Sequence, residues 1–164
     1  MSASPTISCF IANDDETAQL GKTLARYLNP GELVLLDGPL GAGKTALGRA
    51  IIRALLNQPA LEVPSPTFLL VLPYQNKNIS ILHADLYRLE DPRELEELGL
   101  FEDQNALVLV EWGGRAPELE QLADLVISIE FAPEKAGRKV KICSPKNGAS
   151  FNELAALDMF GGGK

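Results

Sequence analysis

The segment from Gly38 to Thr45, GPLGAGKT, has the residue types and spacing of a phosphate-binding loop. Its fixed positions satisfy the pattern G-x-x-x-x-G-K-[ST] completely. Glycines in such a loop let backbone N–H groups converge on phosphate oxygens without Cβ clashes. Lys44 would reach the β- and γ-phosphates, and the Thr45 hydroxyl would ligate Mg²⁺. We therefore expect the phosphates of a nucleotide to be surrounded by this lysine, this threonine and the preceding residues Leu40, Gly41, Ala42 and Gly43.

Two acidic residues are candidates to complete this site. A phosphate-binding loop needs a carboxylate near its metal, usually at the end of a neighbouring buried strand. Glu111 ends the apolar run ALVLV, so it is a candidate catalytic and metal-binding acid, although it could also be a solvated strand end. Asp85 follows the run ISILHA and is a second catalytic candidate. It could orient the attacking water or bind metal through water, or it could cap the next segment.

Three further side chains have both a functional and a structural interpretation. His83 would share a face with Asp85 if their strand continues, but a satisfied core histidine fits the same position. Thr67, in the segment SPTF, resembles the threonines with which GTPases sense the γ-phosphate, but Ser-Pro turns are common. Trp112 follows Glu111 directly and either packs in the core or lies near the nucleotide.

Apolar periodicity predicts alternating strands and helices around these residues. Predicted strands cover residues 7–12, 32–37 and 106–112, and predicted hairpins pair FLLVLPY with NISILHA and residues 124–131 with 140–143. Asn13 or Asp14 would cap a helix that ends near Leu28. Further helices are predicted at residues 45–57, after an Asp91 cap with Pro92 at the first position, and at residues 150–160.

This alternation predicts a single α/β domain over residues 1–164, a P-loop NTPase-like three-layer sandwich. The hairpins indicate that its sheet is mixed, with parallel and antiparallel strands. We expect residues 144–164 to form a peripheral C-terminal tail, with a frayed GGGK end.

Composition narrows the possible functions. The chain has 164 residues and a formal net charge of −7, which argues against autonomous nucleic-acid binding but not against RNA contact through a partner protein.

The two cysteines, Cys9 and Cys143, lie in apolar runs and are expected to be buried thiols. A single histidine and no Cys-x-x-Cys predict no zinc site. No apolar stretch approaches a membrane span and the N-terminus lacks signal-peptide features, so we expect no membrane association and a cytoplasmic location.

The absence of a guanine-reading N-K-x-D motif favours ATP over GTP. No arginine-rich lid is obvious either, although Arg88, Arg93 and Arg115 are candidates for phosphate contacts. Two alternatives to an ATPase stay open at this point. One is a small-molecule or nucleoside kinase in which Asp85 acts as a base toward an acceptor hydroxyl. The other is a nucleotide-gated binding module without significant hydrolysis.

Four separated segments, GPLGAGKT, VPSPTFLLV, HADLYRL and LVEW, together resemble one family. In this order and approximate spacing they are similar to the bacterial TsaE (YjeE-type) ATPases, over roughly residues 14–131. The resemblance implies a P-loop fold with a mixed sheet and slow ATP hydrolysis by the isolated protein. It also implies partnership with a TsaB/TsaD-type protein pair that transfers threonylcarbamoyl to adenosine 37 of tRNA, so that tRNA is met indirectly.

The same resemblance implies roles for individual residues. Lys44 and Thr45 would hold phosphate and Mg²⁺, and Glu111 would be a second acid linked to Mg²⁺. The other essential acid would be Asp85. Thr67 would belong to a switch-like loop, and Thr17 would lie near the adenine. The chain departs from the family pattern at Pro39, where Asp is common, and in the two glycines after Trp112, where Pro is common.

Overall fold

The structure is a computed structural model that describes residues 5–133 and 136–157. The predicted frayed GGGK end and the last part of the predicted terminal helix, residues 158–160, lie outside the described residues.

Seven strands of the described chain form one mixed sheet in the order β1-β7-β6-β2-β5-β4-β3. The strands are β1 (Thr6–Ile11), β2 (Leu33–Asp37), β3 (Val71–Gln75), β4 (Ser80–Asp85), β5 (Leu107–Glu111), β6 (Leu125–Phe131) and β7 (Arg138–Cys143). The central strands β4, β5, β2 and β6 are parallel. The outer pairs β3–β4, β6–β7 and β1–β7 are antiparallel. The predicted mixed sheet and both predicted hairpins are confirmed.

Five α-helices surround this sheet in the described residues: α1 (Asp14–Tyr27), α2 (Lys44–Leu56), α3 (Arg93–Glu97), α4 (Glu118–Leu122) and α5 (Ala149–Ala155). Asn13 caps α1, because its side chain accepts a 3.0 Å hydrogen bond from the Glu16 backbone N–H. A three-residue 3-10 helix, Gly113–Arg115, follows β5. Within the part of the chain that the structure describes, none of the helices is both long and apolar enough to cross a membrane.

The sheet buries apolar side chains on both faces, which makes the domain a three-layer sandwich. Successive residues of a strand point to opposite faces. Val34 and Leu36 of β2 therefore pack with α1, α2 and α5, whereas Leu33 and Leu35 pack with the α3 and α4 side. All four are at most 4% exposed, which explains why the sequence of this central strand is a continuous apolar run.

Several local predictions differ from the structure. The predicted strand FLLVLPY begins at Val71, because residues 66–69 form a turn that the Leu70 N–H closes onto the Pro66 carbonyl at 2.6 Å. Helix α3 begins at Arg93, so that Pro92 takes the cap position while Asp91 accepts from the Arg93 N–H. Helix α4 was not predicted.

The cysteines and the C-terminal segment also differ from expectation. Cys9 and Cys143 are free thiols as expected, but both are half-buried, and burial raises the pKa of Cys9 to about 11. Residues 144–164 were expected to be peripheral. In the described part of that segment, Phe151 and Leu154 of α5 are at most 1% exposed and belong to the core. Helix α5 is therefore part of the folded domain.

Candidate nucleotide site

The predicted phosphate-binding loop, residues 38–45, connects β2 to α2 at the carboxyl edge of the parallel strands. Gly43 has φ of 109° and lies just before the first helical residue, a conformation that glycine adopts without steric cost. At Gly38 the reason for glycine is space, because an added Cβ would lie 2.4 Å from the Ile129 carbonyl oxygen. The loop is thus held against β6 at one end and opens into the first turn of α2 at the other.

Lys44 lies inside the curve of this loop. Its Nζ donates to the carbonyls of Gly38 at 2.7 Å and Pro39 at 2.9 Å, and it lies 4.0 Å from the centre of the Trp112 ring. The Pro39 carbonyl also accepts from the Ala42 N–H, so the proline that departs from the family pattern still organises the loop through its oxygen. Burial lowers the pKa of Lys44, while the carboxylates of Glu111, Asp85 and Asp37 oppose this shift.

Glu111 ends β5 beside the first turn of α2 and is 2% exposed. Its Oε1 accepts a 2.6 Å hydrogen bond from the Thr45 hydroxyl, and its Oε2 lies 2.6 Å from His83 Nε2. Both oxygens of the carboxylate are therefore held by side chains from other elements. The alternative of a solvated strand end does not describe this residue.

Asp85 ends β4 directly beside Glu111, since the two residues are partners in the parallel register of β4 and β5. It is 2% exposed. Its Oδ2 accepts from the Thr67 hydroxyl at 2.9 Å, and its Oδ1 accepts from the Tyr87 backbone N–H at 2.8 Å. Ser65 lies within 2.6 Å of the same Thr67 hydroxyl. Asp85 therefore links the SPTF loop to the sheet edge, and it also caps the segment after β4.

Trp112 follows Glu111 in an unusual backbone conformation. Its φ is 61°, which is costly for a bulky residue and is found where the surrounding structure enforces it. The Trp112 N–H donates to the Leu36 carbonyl at 3.2 Å, and its ring lies 4.9 Å from that of Tyr87. The half-buried indole therefore has both features that the sequence suggested, since it packs against the core on the α3 and α4 side and lies beside Lys44.

These residues surround one cleft of about 250 Å³. Most of the predicted site residues line it, namely Leu40, Gly41, Gly43, Lys44, Thr45, Thr67, Asp85, Glu111 and Trp112. Two predicted residues do not. Ala42 is 3% exposed and turns its side chain into the core, and Thr17 lies on α1 outside the cleft.

Comparison with known proteins identifies the family. Residues 11–140 match the family model described as "Threonylcarbamoyl adenosine biosynthesis protein TsaE". The chain belongs to the TsaE family. It is 46% identical over 143 residues to the tRNA threonylcarbamoyladenosine biosynthesis protein TsaE of Rickettsia felis, covering 87% of this chain and 81% of that one.

A more distant relative is similar over most of the chain, and a solved structure is similar in fold. The TsaE protein of Haemophilus influenzae is 30% identical over 149 residues, covering 87% of this chain and 92% of the relative. The crystal structure of Bacillus subtilis YdiB superposes with a TM-score of 0.73 at 24% identity, covering 96% of this chain and 99% of that one, and it supports the fold. The predicted fold class and the resemblance to the TsaE family are both confirmed.

In this TsaE-family chain, Thr17 lies in a groove between α1 and α2 of about 580 Å³. Its hydroxyl donates to the Asn13 carbonyl at 3.3 Å, and the groove also contains Lys22, Arg49 and Arg53. Ala46 lines both this groove and the cleft beside Lys44. The two spaces therefore share a wall at the first turn of α2.

Arg138 is a residue of this region that the sequence did not reveal. From β7 its guanidinium donates to the Ala42 carbonyl at 3.1 Å and approaches the Gly41 carbonyl at 3.5 Å. It also lies 4.4 Å from the centre of the Phe131 ring. Arg138 supports the phosphate-binding loop from a strand almost a hundred residues later, and no local motif marks such a contact.

The arginines suggested as phosphate contacts lie elsewhere. Arg88 stacks on Phe68 at 4.4 Å, and Arg115 lies 5.4 Å from the Tyr87 ring centre. Arg93 forms an exposed 3.0 Å ion pair with Asp91. None of them is among the residues that line the cleft in the described chain.

The oxygen donors of the cleft fit the Mg²⁺ that the family implies. Mg²⁺ prefers hard oxygen ligands and is usually held by one or two protein groups together with phosphates and water. The Thr45 hydroxyl and the Glu111 carboxylate supply two such oxygens within 2.6 Å of each other. Among residues 5–133 and 136–157, no group of three or more His, Cys, Asp or Glu side chains is arranged to hold a metal.

Proposed function

We propose that this TsaE-family chain is an Mg²⁺-dependent ATPase that supports the threonylcarbamoyl-transferase pair of TsaB/TsaD type. That pair makes N6-threonylcarbamoyladenosine at position 37 of tRNA. One observation carries the proposal. The 2.6 Å hydrogen bond between Thr45 and Glu111 brings a buried carboxylate to the threonine of the phosphate-binding loop. The process in the proposal, tRNA threonylcarbamoyladenosine biosynthesis, is taken from the names of the similar TsaE proteins.

Catalysis of phosphoryl transfer rests on positioning and charge stabilisation. The N–H groups at the start of α2 and the Lys44 ammonium would bind the β- and γ-phosphates. Lys44 would exchange its bonds to the Gly38 and Pro39 carbonyls for bonds to phosphate oxygens. Thr45 and Glu111 would hold Mg²⁺, which supplies charge neutralisation at the phosphates when bound.

Asp85 and Thr67 would act on the γ-phosphate side of the cleft. Their 2.9 Å hydrogen bond ties the SPTF loop to the acid that we propose orients the attacking water. A γ-phosphate that attracts Thr67 would release one oxygen of Asp85 for this water. The same exchange would move the loop, which gives the nucleotide a means to change the surface seen by a partner.

We place the adenine in the groove between α1 and α2. This groove holds Thr17 and shares Ala46 with the cleft, so it lies next to the space that would hold the phosphates. The groove side chains Lys22, Arg49 and Arg53 lie on the α1 and α2 surface, away from Glu111 and Asp85.

The rim of the cleft suits a protein partner. Leu40, Phe68 and Leu69 are 74%, 79% and 71% exposed, and exposed apolar side chains grouped together are typical of binding surfaces. The net charge of −7 favours reaching tRNA, in the cytoplasm, through that partner rather than directly. No arginine of the described chain lines the cleft. An arginine supplied in trans is worth about 10³–10⁵ in rate, so we expect slow hydrolysis by the isolated chain.

The test is phosphate release from ATP with and without the transferase pair, combined with an assay of modified tRNA. We expect stimulation by the pair, and loss of both activities in Lys44→Ala and Glu111→Ala. Lys77→Ala and Glu118→Ala change exposed residues of the same types and should behave as the native protein. Modification that persists in Lys44→Ala or Glu111→Ala would refute the ATPase account.

The same assays separate the alternatives. Transfer of γ-phosphate label to a small acceptor would favour a kinase with Asp85 as its base. Negligible hydrolysis even with the pair, together with different partner affinities in ATP and ADP, would favour a nucleotide-gated binding module.

A further inference from the structure

His83 on β4 is completely buried and contacts Glu111, an acid of the candidate site, from the core side. Its Nε2 lies 2.6 Å from Glu111 Oε2, and the ring is 0% exposed. In the sheet register His83 pairs with Leu109, two residues before Glu111, so the imidazole extends diagonally along the sheet to the carboxylate. It does not line the cleft, and its contact with the site is therefore made through Glu111.

The carboxylate of Glu111 is fixed at both ends. Thr45 donates to Oε1 from the cleft side, and His83 holds Oε2 from the core side. A buried carboxylate oxygen that loses its hydrogen-bond donor costs more free energy than an average hydrogen bond contributes. His83 thus holds the carboxylate in the one orientation that presents Oε1 to Thr45.

The environment of the ring identifies its donor nitrogen. An ionised carboxylate only accepts, so the hydrogen of this bond resides on Nε2. Nδ1 is buried and has no hydrogen-bond partner in the part of the chain that the structure describes. The geometry therefore makes Nε2 the donor to Glu111 Oε2.

Packing holds the ring in this position. Gly48 lies inside α2, where glycine is less favourable than alanine. A Cβ added there would lie 3.3 Å from His83 Nε2, tighter than ordinary contact. The absence of a side chain at Gly48 leaves room for the imidazole between β4 and the backbone of α2.

We propose that His83 is a positioning residue that orients Glu111 toward Thr45 and so preorganises the carboxylate for Mg²⁺. This inference rests on the proposed function, because it assigns Glu111 to the metal. Partners that orient a ligand in this way typically contribute 10- to 100-fold in metal affinity.

A matched pair of variants tests it. His83→Gln can place an amide N–H near the position of Nε2, whereas His83→Met has a similar shape without a donor. We expect His83→Met to require about 10- to 100-fold more Mg²⁺ to promote binding of a fluorescent ADP analogue, and kcat to fall more than KM rises. Binding of the analogue in EDTA should change by less than about 2-fold, and His83→Gln should recover most of the Mg²⁺ response.

These outcomes separate the inference from the proposed function. If the native protein shows neither Mg²⁺-promoted nucleotide binding nor hydrolysis, the proposed function fails. If the native protein shows both and His83→Met retains them, only the role of His83 fails. Equal losses in His83→Gln and His83→Met would show that the ring acts by packing alone, and would also overturn the inference.

A measurement on the native protein covers the case in which His83→Met does not fold. His83 is the chain's only histidine, so untagged protein labelled with ¹⁵N-histidine gives one set of imidazole signals. We expect an Nε2–H signal that is protected from exchange. The Nε2 signal should move with Mg²⁺ and ADP but not with ADP in EDTA. A ring without hydrogen on Nε2, or an Nε2 signal indifferent to Mg²⁺, would overturn the proposal.

Discussion

The Thr45 hydroxyl donates a 2.6 Å hydrogen bond to Glu111 Oε1, and these residues are 66 positions apart in the chain. The bond joins the first turn of α2 to the end of β5 across the carboxyl edge of the sheet. It unites the phosphate-binding loop and the candidate metal acid in one cleft. The behaviour of this pair is therefore the most direct test of the site.

Thr45→Ser and Thr45→Val form a matched pair for this contact. Serine keeps the hydroxyl, whereas valine has the shape of threonine without it and leaves Glu111 Oε1 without its donor. We expect ATP turnover to fall about 100-fold or more in Thr45→Val and by less than about 10-fold in Thr45→Ser. Phosphate release at saturating ATP and Mg²⁺ measures the turnover of both variants. Equal activity of the two variants would show that the hydroxyl is dispensable.

Arg138→Lys should weaken nucleotide binding although it keeps the positive charge. The guanidinium donates to the Ala42 carbonyl and supports the loop from β7, and lysine cannot reproduce this fork. Hydrogen bonds from charged donors contribute about 1.5–3 kcal/mol, so we expect ADP affinity to fall about 10-fold by calorimetry. Arg93→Lys, in an exposed ion pair, is the control and should bind ADP normally. Unchanged affinity in Arg138→Lys would mean that β7 does not shape the loop.

Phe151→Ala should destabilise the whole domain. Phe151 of α5 is 1% exposed, and removing such a buried side chain costs about 3–5 kcal/mol in free energy of unfolding. Phe101, 47% exposed, provides the control, since Phe101→Ala removes the same group from the surface. Urea denaturation of Phe151→Ala and Phe101→Ala measures the free energy of unfolding of each variant. Similar losses in the two variants would indicate that α5 does not pack as described.

Asp37→Asn should raise Tm at neutral pH. Burial raises the pKa of Asp37, and hydrogen bonds from the Gly114 and Gly113 backbone only partly oppose it. A raised pKa in the native state means that the carboxyl favours folding while protonated, and that this contribution is lost as pH rises through the native pKa. The stabilisation by Asp37→Asn should therefore be present at pH 7 and disappear as pH falls toward 3.8, the ordinary pKa of the group.

Asp103→Asn controls for the removal of one negative charge from an acidic surface. Asp103 is exposed and accepts from the Asn105 N–H in a turn. Thermal unfolding at pH 7 and pH 4 compares the two variants. A gain in Tm that is the same at both pH values for Asp37→Asn would contradict a raised pKa at that residue.

Much of the candidate site could be predicted from the sequence because the sequence patterns that mark it are local. The loop pattern identifies Lys44 and Thr45, and two apolar runs ending in Asp85 and Glu111 place the acids at neighbouring strand ends. These signals depend on backbone periodicity and on glycine conformations within a few residues. Whether Lys44, Asp85 and Glu111 act in catalysis stays a prediction.

Other features depend on parts of the chain that meet only in the folded sheet. The sequence does not show that β7 lies between β1 and β6, and therefore not that Arg138 reaches the loop. It leaves His83 undecided between a core residue and a functional one, and the structure shows a buried ring that also contacts Glu111. It also misplaces the start of β3, because the turn that ends at Leu70 depends on a hydrogen bond to Pro66.

The sequence by itself determined the loop pattern GPLGAGKT, the alternation of strands and helices, and the family, since each follows from short segments and their order. Tertiary structure decided which distant side chains touch: Thr45 with Glu111, His83 with the same carboxylate, and Thr67 with Asp85. The physical reason is that strand order and register are set by burial over the whole sheet. A shift of one residue in β4 or β5 would leave both strands intact and separate these groups.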